Sequence, residues 1–182
     1  MILTIDIGNT NIVIGCFEQE GPGKARLLFH ERFSTEQEAT SLEYATIFKE
    51  TLELHEILPS QIQGGILSSV VPSVTGTVKE AVEKYTGARI LVVSPGIKTG
   101  LKMNVDDPAA QGSDLIVGAV AGVHCHPVPQ IIIDMGTATT VSVIDRTKTY
   151  IGKMILPGLA SSLSALSSRT AQLPRISLDP PK

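Results

Sequence analysis

The sequence has no apolar run approaching the ~20 residues of a membrane span, and its N-terminus lacks a charged n-region and a cleavage site, so the chain reads as cytoplasmic. It has no basic cluster either. Fifteen Lys and Arg are scattered among eighteen Asp and Glu, for a net charge of -3, which leaves no electrostatic footprint for nucleic acid. A small-molecule partner fits better. With only two cysteines, Cys16 and Cys125, set far apart, a structural disulfide is the weaker expectation and reduced, half-buried thiols the stronger. The one metal-like run, His124-Cys125-His126, ends a predicted helix beside Pro127 and has no second ligand cluster to accompany it.

What is present is a globular chain of 182 residues, 42% apolar and 18% charged, long enough for a substantial core and between one and two ordinary domains. Its organising stretch runs from Ile2 to Gly15, an apolar β-branched run followed by Asp6-Ile7-Gly8, the small polar residues Asn9-Thr10-Asn11, and a second apolar run. The same grammar returns from Ile131 to Ile144 around Asp134-Met135-Gly136 and Thr137-Ala138-Thr139-Thr140. Each copy predicts two strands joined by a tight turn.

The turn chemistry suits phosphate. Gly8 and Gly136 would allow close backbone approach and positive φ, so that neighbouring amides converge on one oxygen. Asn9, Thr10, Asn11, Thr137, Thr139 and Thr140 add side-chain donors. Asp6 and Asp134 repel phosphate directly, and their expected role is to hold a cation between them and it. One Asp-x-Gly between apolar runs is ordinarily just a turn. Two copies in two halves of one chain favour a nucleotide-phosphate site.

Between the hairpins, Ala25 to Phe33 predicts a third antiparallel strand, and Ser41, a plausible N-cap, opens a helix carrying Leu42, Ala45, Phe48 and Leu52. Gly64 to Ser69 reads as a buried strand, and the next helix, through about Lys84, packs Val74, Val78, Ala81, Val82 and Tyr85. Arg89 to Val93 returns as a strand, so the crossover is parallel and the sheet mixed. Ser94 to Gly112 shows no clear period, as functional loops often do. Asp114 through Gly122 predicts a buried helix. Thr149 to Leu156 repeats the third strand, and after Pro157-Gly158 a helix carries Leu159, Leu163 and Leu166 on one face. A second meander with one helix after it is an incomplete copy of the first half.

The motifs DIGNTN at 6–11, RFST at 32–35, SSVVPS at 68–73, GIKTGL at 96–101, DDPAAQGSD at 106–114, DMGTATT at 134–140, LPGL at 156–159 and TAQLPR at 170–175 together resemble the type III pantothenate kinases. The resemblance implies an α/β fold of the ribonuclease H-like, actin-like ATPase type, with two related mixed-sheet halves around a cleft. The halves would be residues 1–113 and 114–182, the second incomplete. It also implies ATP-dependent phosphorylation of pantothenate to 4'-phosphopantothenate, the first step of coenzyme A synthesis, with Mg2+, a monovalent cation (K+ or NH4+) and a homodimer. Asp6, Ile7, Gly8, Asn9, Thr10, Asn11, Ile12 and Val13 would line the ATP phosphates, Thr137 would also contact ATP, and Asp134 would bind the monovalent cation. Gly112, Ser113, Asp114 and Leu115 would meet pantothenate, with Asp114 the general base. Such roles suit phosphoryl transfer, which is mostly positioning and charge stabilisation. On its own, Asp114 reads as a carboxylate favoured by a helix N-terminus.

Three departures stand out. The family's Gly-x-Asp-Arg is here Gly112-Ser113-Asp114-Leu115, and a lost charge-assisted hydrogen bond is worth roughly 1.5–3 kcal/mol, or roughly ten- to a hundredfold in affinity. A tyrosine common in the family is Val105. The family also continues with a Gly-x-Asn-Thr segment and further helices, so this chain is expected to expose the apolar face of its second sheet and of the Leu159-Leu163-Leu166 helix. The alternatives are an inactive or truncated nucleotide-binding relative, and a kinase of another substrate, since the fold alone does not choose. Lys153, where the family usually has glycine, either approaches the phosphates or points to solvent.

Overall fold

A computed structural model describes residues 1–94, 97–169 and 177. The TAQLPR segment at 170–175, the tail from Asp179, and Gly96 of the GIKTGL motif lie outside the described residues.

Strand alternation builds the first sheet. In β1 (Ile2–Ile7) and β2 (Asn11–Gly21), Leu3, Ile5, Ile7, Ile12, Ile14 and Cys16 point to one face and are buried, while Thr4 and Asp6 point to the other. Burial of each large aliphatic side chain contributes roughly 1.5–3 kcal/mol. The pattern admits one register, since a one-residue slip would turn every apolar group outward. β3 (Lys24–Ser34) extends the antiparallel meander, and β4 (Gly64–Ser69) and β5 (Ile90–Val92) add parallel strands on the far side of β1, giving the order β3-β2-β1-β4-β5.

Two helices contribute to the buried core. α1 (Ser41–Leu54) buries Tyr44, Phe48 and Leu52, one turn apart, and leaves Leu42 exposed. Its N-cap is Thr40 rather than Ser41. The Thr40 hydroxyl accepts from Glu43 N and the Glu43 carboxylate accepts from Thr40 N, a reciprocal pairing that requires the glutamate three residues after the cap. α2 (Pro72–Thr86) starts with Pro72, whose missing N–H costs nothing in the first turn, and buries Val74, Val78, Ala81 and Val82 as expected. Glu83 fastens the next strand, since its carboxylate accepts from Ile90 N (2.9 Å) and pairs with Lys79.

The expected 94–112 loop holds a short strand, β6 (Lys102–Met103), and a 3-10 turn at Pro108–Ala110. α3 (Ser113–Cys125) follows, then β7 (Gln130–Met135), β8 (Ala138–Ile144), β9 (Thr149–Pro157) and α4 (Leu159–Arg169). The second sheet has the order β6-β9-β8-β7, an antiparallel meander with β6 parallel to β9. Ala119, Ile144 and Tyr150 form its small core.

Contacts divide the chain into two units, residues 1–97 with 109–117 and residues 98–108 with 118–182. The sequence reading draws one line at 113/114, whereas the contacts draw theirs within α3. In the first unit β1 lies between β2 and β4. In the second, β7 is one of the two end strands among the described residues, and Ile131 (65%), Ile133 (60%) and Met135 (71%) are exposed, as are Met154, Ile155, Leu156, Leu159 and Leu166. Leu163 is half-buried. The cysteines are not both half-buried. Cys16 is buried, which raises its thiol pKa, and Cys125 is exposed.

Candidate functional site

In the first unit the β1–β2 turn is closed by backbone and by a residue from β3's end. Gly8 N donates to Asn11 O (2.9 Å), the Thr35 hydroxyl donates to Gly8 O (2.7 Å) and Thr35 N donates to Thr10 O (3.0 Å). Asp6, Asn9 and Thr10 are exposed there, Gly8 and Asn11 are half-buried, and Ile7, Ile12 and Val13 continue the strands. Neither Gly8 nor Gly136 adopts positive φ, contrary to one expectation for these glycines. At Gly8 the constraint is space, since a Cβ would come within 3.2 Å of Asn11 O.

Register extends this corner. Asp6 on β1 lies opposite Ser68 on β4. The Ser68 hydroxyl donates to Ser113 Oγ (3.1 Å), Ser69 N donates to the same oxygen (2.9 Å), and the Ser113 hydroxyl donates to Ser69 O (2.8 Å). Next in the chain is Asp114, half-buried in the first turn of α3, its carboxylate accepting from Leu115 N (2.8 Å). Asp6 and Asp114 are thus joined within one unit by strand register and two serines. A cavity of about 200 Å³ is lined by Asp6, Ser68 and Val117 among others. A second, of about 300 Å³, runs along Ser69, Val93, Gln111, Gly112, Ser113 and Ile116.

Gly112 is tied to Asp114. A Cβ at Gly112 would overlap the Asp114 carboxylate and come within 3.6 Å of Val70, so the carboxylate occupies space that only glycine leaves. Leu115, at the position of the family's arginine, is 8% exposed and does not line either cavity; Ile116 does. An aliphatic side chain in the first turn of a helix is buried where a guanidinium would have to stay solvated or paired.

In the second unit Asp134 lies opposite Thr140, and the β7–β8 turn is closed by Gly136 N donating to Ala138 O (3.0 Å). The N-terminus of α4 sits against this turn. Gly158 N and the Ser161 hydroxyl both donate to Thr137 O (3.1 and 3.0 Å), and a Cβ at Gly158 would overlap the carbonyl oxygens of Gly136 and Thr137. Asp134, Gly136 and Thr137 are exposed, as is Lys153 on β9, which lies opposite Ser142 on β8. His124 Nδ1 bonds to Val120 O (2.8 Å), and no group of three His, Cys, Asp or Glu gathers among the described residues.

Sequence reasoning did not assign roles to Thr35, Ser68, Ser69, Gly158 and Ser161. Four of them lie within the quoted motifs RFST, SSVVPS and LPGL. Small hydroxyl residues at strand ends and a glycine before a helix were the available signal.

The sequence profile of type III pantothenate kinases matches residues 2–182. A type III pantothenate kinase of Exiguobacterium sp. strain AT1b is 43% identical over 181 residues, covering all of this chain and 69% of the relative. Among solved structures, a candidate 2-dehydro-3-deoxygalactonokinase from Sinorhizobium meliloti is similar with a TM-score of 0.52 at 11% identity, over 94% of this chain and 58% of that one. That likeness is one of fold, and it agrees with two mixed sheets of the ribonuclease H-like, actin-like ATPase type. The chain belongs to the type III pantothenate kinase family.

Proposed function

We propose that this chain transfers the γ-phosphoryl group of ATP to the primary hydroxyl of pantothenate, giving 4'-phosphopantothenate for coenzyme A synthesis. Besides family membership, the observation that supports it is the juxtaposition of the Asp6 turn with Asp114 through Ser68 and Ser113. A carboxylate near a phosphate-suited turn is what transfer to an alcohol requires. Asp114 accepts the hydroxyl proton as the oxygen bonds to the γ-phosphorus and the bond to the ADP oxygen breaks. Asp6 through Val13 and Thr137 hold the nucleotide by backbone amides and short polar side chains, and Gly112, Ser113 and Asp114 form the acceptor side, with Leu115 buried beside them.

Asp6 and Asp134 are exposed carboxylates with hydroxyl or amide side chains nearby in register or turn, a hard-oxygen donor set that fits Mg2+ and K+ or NH4+ rather than a thiophilic metal. The cations supply neutralisation of phosphate charge. Asp134 is assigned the monovalent cation, and the working protein is a cytoplasmic homodimer. The exposed apolar side chains of β7, β9 and α4 favour a second reading, a nucleotide-binding relative without turnover.

A coupled assay of ADP release with ATP, magnesium, potassium and pantothenate tests both. Pantothenate-dependent turnover that disappears in Asp114→Asn, and potassium dependence weakened in Asp134→Asn, support the kinase. Nucleotide binding with no turnover, from a folded protein, selects the second reading.

A further inference from the structure

Ser113 lies between Gly112 and Asp114, and its hydroxyl makes three hydrogen bonds. A hydroxyl has one donor and two acceptor sites. Ser113 uses all three, donating to Ser69 O (2.8 Å) and accepting from Ser69 N (2.9 Å) and the Ser68 hydroxyl (3.1 Å). It therefore satisfies both backbone groups of Ser69 at the end of β4, as a neighbouring strand would, and Ser68 is itself buried at 5% exposure. Ser69 is held in turn, since its side-chain oxygen accepts from Val71 N (3.0 Å) and the Thr75 hydroxyl (2.7 Å) at the start of α2. The Ser113 side chain is thus held by Ser69, a residue fixed in both chain and side chain.

We propose that Ser113 is a positioning residue that anchors the first turn of α3 to the end of β4 and thereby sets the place of the Asp114 carboxylate. The proposal rests on the reading of Asp114 as the base. The Asp114 carboxylate accepts from the next amide, Leu115 N, and the first helical bond, Ile116 N to Gly112 O, is long at 3.2 Å.

The test compares Ser113→Ala, Ser113→Thr and Ser68→Ala, with Ser113→Ala also placed in the Asp114→Asn background. Two readouts are taken on the full chain: steady-state kinetics, and hydrogen exchange of the Leu115 and Ile116 amides. Ser113→Ala is expected to lower kcat at least tenfold with the KM for ATP within twofold, and Ser113→Thr, which keeps the hydroxyl, to recover most of it. In the Asp114→Asn background the same change alters the residual rate less than twofold, because its effect passes through the missing carboxylate. Exchange at Ile116 rises at least tenfold in Ser113→Ala and less in Ser68→Ala. An equal rate loss in both backgrounds, or no rescue by threonine, overturns the proposal. Should the wild-type chain not turn over, the kinase reading fails and exchange alone decides the anchor: unchanged protection at Ile116 overturns it, raised exchange supports it.

Discussion

Replacing Gly112 with alanine should separate activity from stability. The added Cβ would overlap Oδ1 of Asp114, and its next neighbours, Asp114 Cγ at 3.4 Å and Val70 Cγ1 at 3.6 Å, are in or near ordinary contact. The obstructing atom is the end of a rotatable side chain rather than backbone. The fold therefore yields by turning the carboxylate, and the loss to stability is of the order of one partly exposed hydrogen bond, ~0.5–1.5 kcal/mol. The carboxylate, however, leaves its bond to Leu115 N and moves by roughly 1 Å, a misplacement that costs on the order of a hundredfold in rate when the group is a catalytic base. The assay is pantothenate-dependent ADP release beside thermal unfolding of the same preparation. Expected are a kcat reduced by roughly thirty- to a hundredfold and a melting temperature within a few degrees of wild type. A variant with kcat within threefold of wild type would show that the carboxylate position seen here does not matter to the reaction, and the reasoning would fall.

Gly158→Ala is the contrasting case, since its Cβ meets the backbone oxygens of Gly136 and Thr137, which cannot rotate away; melting temperature should fall clearly, and an unchanged value would show that the turn and α4 can part freely. Phe48→Ala should destabilise the first unit by ~3–5 kcal/mol in a denaturant titration, because the ring is 1% exposed and packs edge-on against Phe33. Glu83 has its carboxyl pKa lowered first by the Ile90 N–H and then by Lys79. A lowered folded value gives stability that is present above the unfolded carboxylate pKa and lost as pH falls through the folded one. Melting temperatures followed from pH 6 to pH 3 should therefore fall less steeply in Glu83→Gln than in wild type. A thiol reagent should label one cysteine of the native chain, Cys125, and two in denaturant, since Cys16 is buried; two fast labels in the native state would contradict the packing of β2.

The periodic parts of this chain were legible because burial depends on side-chain direction, which local sequence sets. Alternation along β1 and β2, the Val74-Val78-Ala81-Val82 face of α2 and the twin Asp-x-Gly turns follow from it, and so does the kinship carried by the ordered motifs. The cap of α1 was misplaced by one residue, at Ser41 instead of Thr40; Glu43, three residues after Thr40, was the signal that separates them.

Other features depend on groups distant in sequence, and only the tertiary structure decided them. Ser68 and Ser69 meet Ser113 across 44 or 45 residues, and nothing local marks that bond. Nothing local tells that Ile116 lines a cavity while Leu115, equally buried, does not, because two adjacent aliphatic residues of a helix read alike until the helix is docked. Gly8 and Gly158 were recognisable as glycines near turns. What each excludes, the carbonyl of Asn11 in one case and those of Gly136 and Thr137 in the other, is a matter of which backbone passes within van der Waals reach, a distance that exists only once the chain has folded.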